Sequence, residues 1–142
     1  MNPESLFGIA LGITPPWEVE GIEFSKEKKR LDIKIGFQRG ALFPCPVCGS
    51  PAPAYDTTEK TWRHLNFFQY EAYLTARVPR VKCPNADCGI KQVAVPWARA
   101  GSGFTLLFEA LVMALVREMP VKAAAALLGE HDTRIWRVVD HY

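Results

Sequence analysis

The sequence predicts an α+β fold, with strands and loops as far as residue 99 and three helices from residue 100 onward. Three observations carry that division. Apolar and polar residues alternate in Trp17–Phe24, Leu31–Phe37 and Tyr70–Val78, the signature of strands with one buried face. Four cysteines, Cys45, Cys48, Cys83 and Cys88, arrive as two close pairs, each at a turn between extended segments. After Gly101-Ser102-Gly103 the period changes. Phe104, Leu107, Phe108, Leu111, Val112, Leu115 and Met119 recur at three and four residues, the spacing of one helical face.

Taken in order, residues 1–40 hold an N-terminal segment and a β-hairpin whose charged turn is Lys26–Arg30. Residues 41–99 form a unit built around the cysteines. Pro44, Pro46, Gly49, Pro51 and Pro53 mark the first pair as loop, Tyr70–Val78 runs into Cys83, and Ile90–Val95 is a short strand leaving Cys88. Residues 100–142 hold the helices. Phe104–Met119 stops before Pro120, which lacks an N–H and suits the first turn of the next helix. Val121–Leu128, with four consecutive alanines, is a short, strong helix former, and Gly129 suits its C-terminus. His131 or Asp132 caps a last helix from Thr133, with Ile135, Val138 and Val139 on its apolar side.

The chain has 142 residues, 49% hydrophobic and 23% charged, which sets aside collagen-like and highly charged disordered classes. No apolar stretch approaches the roughly 18 to 20 residues needed to span a bilayer. Met1–Ile13 carries Glu4 and no basic flank, so a signal peptide is not expected and the expected compartment is the cytosol, where thiols stay reduced. The net charge of +2, from 17 Lys+Arg and 15 Asp+Glu, is too small to imply nucleic acid by itself. Its distribution says more. Between Lys60 and Arg99, seven basic residues (Lys60, Arg63, Arg77, Arg80, Lys82, Lys91, Arg99) stand against Glu71 and Asp87, a local +5. That stretch fits a solvated strand face as well as a phosphate-contacting one. With no Ser/His/Asp order and no phosphate-binding glycine loop, an enzyme in its own right is not expected.

Cys45-Pro46-Val47-Cys48-Gly49 is a C-x2-C knuckle and Cys83–Gly89 a C-x4-C one. Such spacings let one turn aim two sulfurs at a single tetrahedral zinc, and four thiolates leave no open coordination position, so the site would be structural. The alternatives are two disulfides, a redox C-x-x-C, or unconnected core thiols. A redox motif wants a helix N-terminus, whereas Pro44 and Pro46 place Cys45 in a loop, and it leaves the second pair unexplained. His64 lies away from either knuckle and reads as a surface or packing residue.

Val121–Asp140 fits a helix-turn-helix, with Ala125 where the helices cross, Gly129 in the turn, and Ile135 and Val138 lining the second helix; a plain three-helix bundle fits the spacing too. Glu130 departs from the pattern by standing where an apolar residue usually plugs the core, and is expected to point outward. The exposed side of the last helix would be Thr133, Arg134, Trp136, Arg137 and Asp140, with Arg134 or Arg137 within reach of guanine edges and Trp136 also suited to packing upstream.

In order, Cys45-Pro46-Val47-Cys48-Gly49, Trp62-Arg63-His64-Leu65, Arg80-Val81-Lys82-Cys83, Cys88-Gly89 and Leu128–Arg137 resemble the N-terminal half of bacterial insertion-sequence transposases of the ISL-three family. The resemblance covers nearly the whole chain. It implies a zinc ribbon holding one structural Zn2+ through Cys45, Cys48, Cys83 and Cys88, then a helix-turn-helix, together recognising double-stranded DNA at the terminal inverted repeats of a mobile element. Arg63, Arg77, Arg80, Lys82, Thr133, Arg134 and Arg137 are the candidate DNA contacts. Family members continue into a DDE catalytic domain for which these 142 residues leave no room, so no catalysis is expected of this chain alone. A homodimer or a catalytic transposase chain is the expected protein partner, no membrane is expected, and the expected location is the cytoplasm, on the nucleoid. The other readings are a zinc-ribbon transcriptional regulator and a protein-interaction module using Trp17, Trp62 and Trp97 as exposed aromatics.

Overall fold

The computed structural model describes residues 2–85 and 87–142; Ala86, inside the second knuckle, lies outside them. Its elements are α1 (Pro3–Leu11), β1 (Trp17–Ser25), β2 (Arg30–Phe37), β3 (Leu42–Pro44), β4 (Pro51–Phe67), β5 (Tyr70–Lys82), β6 (Ile90–Gln92), α2 (Leu106–Val116), α3 (Val121–Leu128) and α4 (Asp132–His141). The class is α+β, with four helices rather than three. The additional one is α1, capped by the Asn2 side chain accepting from the Ser5 amide and closed by Gly12 in the left-handed region.

One sheet runs β1-β2-β5-β4-β3, with β6 paired to the far end of β5. The β1–β2 hairpin forms as expected, but the division at residue 40 does not break the sheet. β2 pairs in parallel with β5, Arg30 opposite Glu71 through Ile35 opposite Ala76. The two units share a core for a simple reason: Leu31, Ile33 and Ile35 of β2 and Ala72, Leu74, Ala76 and Val78 of β5 alternate onto the same face. α1 and the 93–98 segment cover that face. There Trp97 meets Trp17 and Trp62 edge-on, ring centroids 5.0 and 5.4 Å apart. Trp17, Trp62 and Trp97 are therefore core residues, 6%, 4% and 8% exposed, and not the exposed aromatics expected of an interaction surface.

The helices have their own core of Phe104, Phe108, Val112, Ala125, Ile135 and Val138. α2 begins later than its apolar period, because the Thr105 hydroxyl accepts from the Phe108 amide and caps the helix there. Pro120 precedes α3, Gly129 ends it at φ 68°, and the His131 ring caps α4 by accepting from the Thr133 amide. Among the described residues no helix is long and apolar enough to cross a membrane.

Candidate metal centre and nucleic-acid interface

The zinc-ribbon geometry follows from two hairpins lying side by side. β3 and β4 close around Cys45–Cys48, and β5 and β6 close around Cys83–Cys88. The Cys45 amide donates to the Ser50 carbonyl at 2.9 Å, and the Cys83 amide to the Gly89 carbonyl at 3.1 Å, so each knuckle folds back over its own sulfurs. Gly49 and Gly89 stand at φ 78° and 67°, the left-handed conformation each tight reversal needs.

The four sulfurs lie within 4.8 Å of one another, and Cys48 Sγ is 3.3 Å from Cys83 Sγ. A tetrahedral zinc with bonds of about 2.3 Å sets its sulfurs about 3.8 Å apart, so the cluster has the size and donor set for that ion. The separation is far beyond the roughly 2.05 Å of a disulfide, and all four cysteines are free. Cys45, Cys83 and Cys88 are buried and Cys48 is exposed. Bonds from the Ser50 hydroxyl and amide hold the Cys48 thiol down to about 6, while Cys88 is pushed up to about 12 by the neighbouring Cys48 sulfur and by burial. Four such thiols cannot ionise together without a cation among them, which is the condition zinc supplies.

In the helix-turn-helix, α4 turns Thr133, Trp136, Arg137 and Asp140 outward and buries Ile135 and Val138. Trp136 is 50% exposed and takes no part in the core. Lys82, next to Cys83, is exposed as well.

Other expected DNA contacts are otherwise employed. Arg63 is 2% exposed, so it has no surface to offer a phosphate. Its guanidinium bonds Glu130 at 2.6 Å, Glu71 at 3.1 Å and Asn66 at 3.0 Å, and lies over the Phe108 ring. Glu130 consequently points inward, contrary to expectation, and takes Arg134 at 2.6 Å on its other oxygen. Two cations satisfy a carboxylate at the place where other helix-turn-helices carry an apolar plug. Arg134 lies over Phe104 and close against Gly103, where a Cβ would stand 2.8 Å from its guanidinium nitrogen and make that end of the side chain shift. Arg77 and Lys34 share a groove with Glu20, Glu23, Asp32 and Glu59, so the acids outnumber the cations and the setting is a poor one for phosphate. The exposed Arg80 pairs with half-buried Asp56, holding that carboxyl below its ordinary range.

The same joint carries His64, whose Nδ1 is 2.7 Å from the Thr105 hydroxyl, while backbone bonds tie Arg63 to Gly103 and Thr105. His64 is thus a packing residue. Burial holds its imidazole below the ordinary value, so it stays neutral in the folded chain where the unfolded chain begins to take a proton. Stability is therefore expected to fall as pH drops through about 6.5, and to go on falling until the depressed native value is passed. His64→Gln should flatten the dependence of Tm on pH between about pH 7 and pH 5, and an unchanged slope would refute this.

Sequence reasoning missed Glu130, Glu71 and Asn66 as partners of Arg63. The sequence carried no signal for them: Glu130 lies 67 positions from Arg63, and the consecutive burial of Trp62 and Arg63, where the period of a strand allows only one, shows in the structure alone.

Comparison with known proteins falls on the same two units. A family model described as the zinc-finger of transposase IS204/IS1001/IS1096/IS1165 matches residues 41–88, and one described as the helix-turn-helix domain of transposase family ISL3 matches residues 93–142. The chain belongs to the ISL3 transposase family. Two relatives in Mycobacterium tuberculosis, from strains CDC 1551 / Oshkosh and ATCC 25618 / H37Rv, are each described as the transposase for insertion sequence element IS1557. Both are 33% identical to this ISL3-family chain over 149 aligned positions, covering 96% of it and 33% of the relative. The chain thus spans about a third of the length of the curated relatives it matches. No solved structure matches it.

Proposed function

We infer that this chain is the DNA-recognition part of an ISL3-family transposase, reading the terminal inverted repeats of its element, with one structural zinc per chain holding the ribbon. The observation that carries this is α4 itself: it follows a glycine turn and presents Thr133, Trp136 and Arg137 to solvent, inside a segment matching the family's helix-turn-helix. Arg137 fits bidentate recognition of a guanine edge, and Lys82 and Lys91, exposed on the ribbon, fit phosphates. This part's share of transposition is recognition of the ends, in the cytoplasm and on duplex DNA, while strand cutting belongs to carboxylates elsewhere in such transposases.

The test is a titration of terminal-repeat and random duplexes at several salt concentrations. The repeat should bind more tightly, and log K should fall by about 0.9 per phosphate contact for each decade of salt. Arg137→Ala should lose about 1–3 kcal/mol of discrimination and keep its random-duplex affinity within a few fold, whereas Lys82→Ala should weaken both duplexes alike. Equal affinity of the unaltered chain for both duplexes would refute the proposal.

A further inference from the structure

The end of the sheet opposite the metal carries two turns that the fold does not explain. The β4–β5 hairpin turns at Phe68-Gln69, where Phe68 has φ 53° and is 80% exposed. That conformation favours glycine, so a large apolar side chain there adds local strain and gains little burial. Phe67, Phe24 and Tyr70 stand beneath it, with Phe67 and Phe68 centroids 4.7 Å apart. The neighbouring β1–β2 turn exposes Lys26, Lys28 and Lys29 against a single acid, Glu27. The two turns are joined, because the Glu71 amide donates to the Lys29 carbonyl at 2.9 Å.

Both turns are also linked to the start of α4 through Arg63. The Arg63 guanidinium bonds Asn66, two residues before Phe68, and Glu130, one residue before the His131 cap. Glu71, which ties the lysine turn, is on the same guanidinium. One buried side chain therefore fixes three neighbours: a basic turn, an aromatic turn and the helix N-terminus from which base edges are usually read.

We propose that these two turns form a second contact with duplex DNA, continuous with the α4 interface: Lys26, Lys28 and Lys29 hold phosphates, and Phe68 enters the adjacent minor groove. The inference rests on the DNA-recognition reading above and adds a surface to it. Charge decides the occupant. Three lysines on the turn beside an exposed apolar tip complement a polyanion, and apolar side chains of this kind wedge between base steps from the minor groove. A partner protein is the competing occupant.

The test uses duplexes of about 40 base pairs selected by the unaltered chain from a random pool, and versions cut to the one helical turn of about 10 base pairs that α4 covers. Phe68→Gly relieves the turn, so its Tm should be equal or higher. Its affinity for the long duplex should nevertheless fall about tenfold, with a shorter footprint and no change on the short one. Replacing Lys26, Lys28 and Lys29 with Ala should lower the salt slope on the long duplex by about 3. If the unaltered chain selects and binds its duplex but both variants match it in affinity, footprint and salt slope, the second contact is refuted and the α4 reading stands. If Phe68→Gly instead abolishes self-association at unchanged DNA affinity, the patch is a protein interface and the proposal is refuted. If the unaltered chain selects no duplex, both readings fail together.

Discussion

Cys83→Ser is expected to leave a chain that no longer retains zinc and whose ribbon end is open to protease. Cys83 is buried among the other sulfurs, so losing its thiolate removes both a ligand and the negative charge that balances the ion. Structural zinc contributes about 10–16 kcal/mol in small zinc domains, comparable with the whole stability of a domain of roughly 5–15 kcal/mol. The knuckles have little else to hold them, since β3 and β6 are three residues each. Cleavage should fall first within 45–54 and 83–92, and chelator should reproduce it in the unaltered chain. The helices should remain partly folded, because Phe104, Phe108, Ile135 and Val138 form a core that contains none of the cysteines. Metal analysis with limited proteolysis decides the matter: a serine variant that keeps its zinc and resists cleavage would refute the site.

Glu130→Ala should have the second largest effect. It removes the shortest of the three bonds to the Arg63 guanidinium, leaving half-exposed Glu71 and Asn66 to balance a charge that is 2% exposed and whose Nε has no partner even in the intact chain. Removing one partner of a buried ion pair costs about 3–5 kcal/mol when the other charge is left uncompensated, and Glu71, which stays on the guanidinium, holds the cost here to the lower end of that range. For a chain of this size that lowers Tm on the order of 10 °C. Arg63→Met combined with Glu130→Leu should recover most of the loss, since the charge to be desolvated is gone. A Tm within a degree or two of the unaltered chain for Glu130→Ala alone would show that Arg63 finds another partner or water. Should the double variant regain stability, its DNA discrimination would still be expected to fall, because the charge that aligns α4 with the sheet is missing.

What was legible in the sequence was local. The hairpin, the two knuckles, the stop before Pro120 and the cap at His131 each rest on residues a few positions apart, and each forms close to its expected place. Pairing over long distances left no such trace. Nothing near Leu31–Ile35 signals a parallel partner at Ala72–Ala76, because a half-buried strand reads the same beside any neighbour. β4 hid its length of 17 residues behind prolines at its start, exposed polar residues along its middle, and register shifts at Ala54/Asp56 and His64/Phe67. α1 is short and leaves Leu6 and Ile9 exposed, so it lacks the buried stripe that marks a helix. Arg63 misled for the same reason. In a basic stretch it passed for surface, and the acid that buries it lies 67 positions away.

The continuous strand β5 makes the molecule a ruler. Tyr73 packs near the Arg63 guanidinium that anchors α4, and Cys83, ten residues further on, directly follows the last residue of the same strand. At about 3.3 Å per residue the two ends are held about 33 Å apart, close to the roughly 34–36 Å pitch of one turn of duplex. A groove that faces the helix at one end comes round to the same side of the duplex at the other. The spacing is set by hydrogen-bonded backbone rather than by a linker, so on the DNA-recognition reading proposed above, base pairs inserted between the points met by α4 and by the ribbon lysines should put them out of phase instead of stretching the protein.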